Sequence, residues 1–301
     1  ATELSAIGAK TTGTVTVTNA VAITGSASEL TAALVTAGSL VVVSDATATI
    51  NDVDGTGITA TELSAIGAKT TGNVTVTNAI DITGSASELT AALVTPSTGV
   101  LVSDATATIN DVDGTAIAAT ALSAIGSHTT GIVTVTNAIA ITGSASEVTA
   151  ALVTAGSLVV VSDAVVSITG NPTITELNNI AAKTSGVVTA TLAADSLSNL
   201  GALTTAGTDA ITITVNDADA AAVTASDLST LGGKTAGTVT VTNAVAITGD
   251  HDQLTAALVT AGTLVEVSDA TATVSDVDGT AINATELSAI GAKTTGTVTV
   301  T

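Results

Sequence analysis

The phrase ATELSAIGAKTTGTVTVT at Ala1–Thr18 returns, varied or intact, at Ala60, Ala119, Ile174, Ala225 and Ala284, and its last copy is identical to its first. The starts lie 59, 59, 55, 51 and 59 residues apart, so the chain consists of five periods and one repeated stub. A sequence with this self-similarity cannot give every segment its own environment; whatever packs one period must also pack the next.

Each period divides in two. Gly13 opens GTVTVTNAVAITGSASELTAALVTA and Gly38 opens GSLVVVSDATATINDVDGTGITATELSAIGAKTT, halves of 25 and 34 residues. Placing TVTVTNA over LVVVSDA aligns Val15 with Val41, Val17 with Val43 and Asn19 with Asp45, an offset of 26. TVTVT and VAIT alternate apolar and polar residues at period two, the pattern of half-buried strands. SASELTAALVTAG reads as a short helix, with Ser28 as N-cap, Glu29 in the first turn, and Leu30, Ala33 and Leu34 on one face. TELSAIGAKTTG repeats that logic with Thr2, Glu3, Leu4 and Ile7, and Gly13 follows as a stop. Helices of about two turns do not stand without neighbours.

The expected fold class is therefore a mainly β repeat solenoid with short helices, built of stacked strand-turn-strand-helix coils at about 59 residues per double coil. It would run as one continuous segment over residues 1–301, with repeat starts at 1, 60, 119, 174, 225 and 284, as part of a longer array. About ten coils at roughly 4.8 Å would make a rod of about 50 Å. The 51-residue period is irregular: VVTATLAADSLSNLGALTTAG (Val187–Gly207) has no counterpart of VAITGSAS and is expected to skip one strand.

Composition supports a repetitive stack. The chain has no aromatic residue, no Met and no Cys, so its core must come from Val, Ile, Leu, Ala and threonine methyls, which suit closely spaced pleated surfaces. Without an initiator Met or a charged-then-apolar leader it reads as a mature or excised piece. No apolar run reaches the roughly 18 residues of a membrane span. With 26 acidic residues against five lysines, the net charge is -21, which repels nucleic acid and anionic lipid and attracts cations.

Among residues that could carry chemistry, Asp52 and Asp54 in NDVDGTGI, Asp111 and Asp113 in NDVDGTAI, and Asp276 and Asp278 in SDVDGTAI offer hard oxygen ligands on a turn. That chemistry suits Ca²⁺, the one cofactor expected here. The same Asp-Gly pairs are also plain turn signals. The loops match neither an EF-hand, because Glu62 lies one residue too far, nor the GGxGxDxUx nonapeptide.

Lys10, Lys69, Lys183, Lys234 and Lys293, with His128 in the third copy, read as cations at helix C-termini or as a ladder for an anionic polymer. Asn19, Asp45, Asn78, Asp104, Asn137, Asp163, Asn243 and Asp269 close first strands and predict an Asn/Asp ladder at stacked corners. GDHDQL places His251 where GSASEL stands elsewhere, with Asp252 on the expected capping position; DHD is a metal-capable cluster that a substituted cap also explains. A threonine rank for ordering ice is broken by Leu40 and Val42, and Leu40–Val43 is apolar on both faces. No nucleophile elbow, P-loop or zinc spacing occurs, so no enzyme is expected.

TELSAIGAKTTGTVTVT, ITGSASELTAAL and TELNNIAAKTSGVVTAT resemble the repeat arrays of very long bacterial, notably cyanobacterial, extracellular β-strand-repeat or haemolysin-type surface proteins. The resemblance implies a secreted or cell-surface location, type I export and frequent calcium binding. The expected function is structural: an extracellular repeat protein forming a filament, a sheath or surface layer, or an adhesin stalk by coil stacking. Its expected partners are its own copies, head-to-tail or lateral. The alternative is a calcium- or polymer-binding surface adhesion module whose partner is a surface polysaccharide.

Overall fold

The computed structural model describes all residues except 37, 39–40, 96–98, 261 and 263–264. It divides into two compact units, Ala1–Thr142 with Glu147–Ala164, and Gly143–Ser146 with Val165–Thr301. The second period of the first unit shows the vocabulary. Strands Val74–Val76 and Asp81–Gly84 lead into a helix of two windings, α-helical over Ala86–Leu89 and π-helical over Thr90–Val94. Strands Val100–Leu101, Thr106–Ile109 and Ala116–Ala118 follow, and then the helix Ala119–Gly126.

Among the described residues the strand pairings are parallel, and the strands fall into five sheets, with helices alternating with groups of strands along the chain. In the first unit Val15–Val17 pairs with Val41–Val43; the strands at 22–25, 47–50, 74–76 and 100–101 form a sheet of four; and those at 57–59, 81–84, 106–109, 133–135 and 159–160 form a sheet of five. The second unit carries the ordered run 165–169, 188–191, 210–215, 239–241 and 265–267, and a four-stranded sheet of 222–224, 246–249, 271–274 and 298–300.

This corrects the expected β-solenoid of stacked coils. The tandem repeat of the sequence is not carried as a one-to-one repeat of structure; the fold is α/β, with five separate parallel sheets and alternating helices. The unequal halves explain why. The 25-residue half contributes two strands and the 34-residue half contributes three, the extra one being Gly57–Thr59. The register opens as the offset of 26 implies, with Val15 opposite Val41 and Val17 opposite Val43. Val74–Val76 then pairs with Ala48–Ile50 rather than extending the Val41–Val43 pair. Each ladder thus steps sideways, and sheets of two, four, five, seven and four strands form among the described residues in place of one continuous stack. In the irregular period, Ala210–Val215 does the work of two strands: its first half pairs with Thr189–Thr191 and its second half with Val239–Val241.

The helices begin earlier than the apolar spacing implies. Ser26, not Ser28, is the N-cap: its backbone is extended, its Oγ accepts from Glu29 N at 3.2 Å, and Glu29 Oε2 accepts from Ser26 N at 2.9 Å. Ser28 lies inside the first turn, where its hydroxyl meets Ser26 Oγ at 3.0 Å. At GDHDQL the cap is likewise Asp250, not Asp252. In later copies of the phrase the cap is the residue before it, as Thr59, Thr224 and Asn283 show.

The core of the first unit is aliphatic throughout, with Leu30, Ile50, Leu63, Ile66, Ile80 and Ile82 almost wholly removed from water. Each stabilises the fold by about 1.5–3 kcal/mol relative to exposure. Of the two-faced apolar run, Val41 and Val43 are buried and Val42 is 51% exposed, while Leu40 lies outside the described residues. Leu101 and Val160, at the matching strand position of later periods, are 51% and 52% exposed.

Candidate functional site: the aspartate-glycine loops

The NDVDG loops at Asn51 and Asn110 each connect two strands, the SDVDG loop at Ser275 leads from a strand to the helix Ala284–Gly291, and Gly55, Gly114 and Gly279 take φ of 77°, 76° and 85°. Only glycine enters that region freely, which fixes the Asp-Gly order in the sequence. In the irregular period the loop reads NDADA, and Ala220 is forced to φ 59°. Ala220→Gly is therefore expected to stabilise the chain by about 0.5–1 kcal/mol, read as a raised midpoint in denaturant at unchanged slope.

The two aspartates of a loop have different partners. Asp52 Oδ2 accepts from Ala27 N at 2.7 Å, Asp111 Oδ2 from Ala86 N at 2.7 Å, and Asp217 Oδ2 from Leu197 N at 2.7 Å. Ala27, Ala86 and Leu197 are the first residues of short helices, so each carboxylate satisfies an amide that helix geometry leaves open and adds negative charge at the positive end. The second aspartate serves a strand corner instead. Asp54 Oδ1 accepts from Ala79 N and Asp113 Oδ1 from Ala138 N, both at 3.1 Å.

The corner answers. Gly55 N donates to Ala79 O at 2.8 Å, and Asn78 Nδ2 donates to Asp52 O at 2.5 Å. Asn137 and Asn243 reach Asp111 O and Asp217 O in the same way, at 2.6 and 2.7 Å. These asparagines therefore do not ladder with Asp45 and its counterparts, which accept from the preceding serine: Ser44 Oγ lies 3.1 Å from Asp45 Oδ1, and Ser103, Ser162 and Ser268 repeat the pattern at 3.0 Å. Asn and Asp at one aligned position thus have two functions, which spacing alone does not reveal.

Asp276 makes a different pairing. His251 replaces the Ala27 of other helices, and its N and Nδ1 both donate to the Asp276 carboxylate, at 2.9 and 2.7 Å. Their side chains are 15% and 11% exposed. Hydrogen bonding to Asp276 raises the His251 pKa above its ordinary value against the cost of desolvation, with the charges of Asp252 and Glu286 assisting. For Asp276, desolvation acts upward, but the bonds from His251 prevail and hold the carboxyl below its usual range. The raised imidazole contributes stability below its unfolded pKa of about 6.5, and this is lost as pH climbs through the folded value; the lowered carboxyl contributes above about 3.9, and this is lost on acidification. The Tm difference between the parent chain and His251→Ala is expected to peak between about pH 4 and 6.5 and to shrink on either side. A flat difference would show that the pair is not coupled to folding.

The phrase lysines follow the helix ends. Lys234 Nζ donates to Gly201 O at 2.7 Å, and His128 Nδ1 lies 2.9 Å from Ala124 O, both at carbonyls near a helix C-terminus. Two further features have no motif to announce them. Asp209, only 4% exposed, accepts Val188 N on Oδ1 at 2.8 Å and Ala206 N on Oδ2 at 2.9 Å. In four copies of the phrase the glycine at position 13 lies against backbone: a Cβ on Gly131, for one, would overlap the carbonyl oxygen of Ala105 and stand 2.9 Å from that of Asp104. The recurrence of that glycine was the one signal available.

Among the described residues, no group of three or more His, Cys, Asp or Glu converges as a metal centre would require, and no helix is long and apolar enough to cross a membrane. No protein-family model, curated protein or solved structure matches the chain.

Proposed function

We propose that the chain is a structural protein of an extracellular assembly, a filament, sheath or surface layer, or adhesin stalk, that associates with its own copies. The observation that carries this reading is the use made of the recurring polar residues. The loop aspartates, the corner asparagines and the phrase threonines are engaged by the protein's own backbone; Thr71 and Thr130, for example, donate to Ser44 O and Ser103 O at 2.9 and 3.0 Å. A sequence that repeats its polar positions to tie neighbouring segments is organised for extent and stiffness rather than turnover. The half-exposed Val42, Leu101 and Val160, recurring on one strand position, supply apolar contact for a second copy. Sedimentation velocity over a concentration series tests it: mass should rise with concentration and fall back in Val42→Thr/Leu101→Thr/Val160→Thr. A monomer at all concentrations would end this reading.

A second reading is calcium binding, favoured by the acidic loops and the net charge of -21. Asp52 and Asp111 each hold an amide through Oδ2, which leaves Oδ1 as a hard ligand that could take an ion. Melting the chain in calcium and in chelator separates the readings, since a bound ion raises Tm in proportion to the logarithm of its concentration, and an unchanged transition removes it.

A further inference from the structure

The threonine rank that the sequence breaks at Leu40 and Val42 is restored by the order of the strands. In the first strand pair Thr16 does face Val42. In the four-stranded sheet of the first unit, however, Thr24 faces Thr49 and Thr49 faces Thr75. The five-stranded sheet sets Thr59, Thr83, Thr108 and Thr134 opposite one another on successive strands. In the four-stranded sheet of the second unit Thr224, Thr248, Thr273 and Thr299 do the same. Side chains alternate across a strand, so the members of a row leave their sheet on one side, while Ile58, Ile82, Ala107 and Val133 are buried on the other. Each step along a row is one parallel pairing, roughly 4.8 Å. Where a strand reads TAT, as at Thr47, Thr106 and Thr271, a second threonine stands two residues away, roughly 6.6 Å along the strand.

Two observations set these rows apart from the other threonines. The first is their hydroxyls. Corner threonines such as Thr77 and Thr136 donate to a neighbouring carbonyl, Ile50 O and Ile109 O, at 3.1 Å. Thr49, Thr108 and Thr273, inside the rows, are partly open to water, and their side chains bond to none of the described residues. Threonines placed to tie strand to strand would join hydroxyl to hydroxyl, which these do not. The second observation is charge. The chain has 26 acidic residues, yet the outward positions of the two four-stranded sheets hold none: apart from threonine they carry Ala22, Leu101, Ala222 and Ala246. We propose that the threonine rows bind ice. Their free hydroxyls take places in its hydrogen-bonded order, and their methyls sit between the waters. Ice is neutral and periodic, so it rewards a repeated, uncharged array, whereas a charged group would lose hydration without finding a partner. Aromatic stacking surfaces that would favour a sugar polymer are absent from the whole chain.

The test freezes ice slowly out of a dilute solution of the fluorescently labelled full chain and compares the label in the ice with that left in the liquid, serum albumin serving as the excluded control. The parent chain is expected to be enriched in the ice. Thr49→Val/Thr108→Val/Thr273→Val removes one hydroxyl from each row at nearly constant shape and should cut the enrichment about fivefold or more. Thr49→Lys/Thr108→Lys/Thr273→Lys places a charge and a long side chain on each row and should abolish it. Should the lysine variant misfold by circular dichroism, the valine variant still decides. A parent excluded from ice as albumin is, a valine variant enriched as strongly as the parent, or a chain that pellets with insoluble cellulose while ice excludes it would each overturn the proposal.

Discussion

Gly131→Ala is expected to destabilise the chain by about 3 kcal/mol or more, whereas Gly13→Ala, the same substitution at the same position of an earlier phrase, should be close to neutral. At Gly131 the added methyl would overlap Ala105 O, with Ala105 C at 2.7 Å and Asp104 O at 2.9 Å, and every one of these atoms is backbone of a paired neighbouring segment. Backbone cannot rotate away as a side chain can. Relief would have to separate Gly131 from Ala105, and it would break the bond from Thr129 Oγ1 to Ala105 O that ties the same two segments. Gly72, Gly237 and Gly296 face Ala46, Ile211 and Ala270 in the same way. A methyl on Gly13 would meet only Thr11 Oγ1, at 3.6 Å. Equilibrium unfolding of the two variants makes the comparison, and equal costs would mean that the phrase glycine is kept for its own flexibility rather than for the approach of backbone.

Asp209→Ala should cost about 1–3 kcal/mol, because it leaves the buried amide of Val188 and the part-buried amide of Ala206 without their acceptor. Asp209→Asn is the sharper probe. One oxygen remains for one amide while an NH₂ is turned against the other, so a large part of the loss should persist although size is unchanged. The residue is also tied through its carbonyl, which accepts from Ala236 N at 2.7 Å and from Thr235 Oγ1 at 3.0 Å. A variant as stable as the parent would show that water reaches these amides.

The parts of the fold legible in the sequence were local. The offset of 26 reads the register of the first strand pair because both partners carry the same TVTVT-like pattern, and the Asp-Gly order reads the positive φ of the loop. Sheet organisation was not legible, because alternation marks a strand without saying which neighbour it joins. Only the count of two strands against three, visible once Gly57–Thr59 is placed, turns a continuous ladder into separate sheets. Serine's capping preference in SASEL suits Ser28 in the sequence, yet Ser26 has the extended backbone that capping requires. At the loops, sequence located the carboxylates but not their partners, since Ala27 and Ala79 contribute only amides, which no side-chain pattern reports. Asp209 was hidden for the same reason: its environment is made by Val188 and Ala206, outside any motif.

The central claim is that the loop carboxylates hold the chain's own backbone. Residue-resolved amide hydrogen exchange in chelator, comparing the parent chain with Asp111→Ala, tests it most directly. The account predicts that Ala86 N–H is protected in the parent without any divalent ion, and that the substitution abolishes this protection while Ala27, held by Asp52, stays slow. Free exchange of Ala86 in the chelated parent, with protection appearing only on addition of calcium, would contradict it.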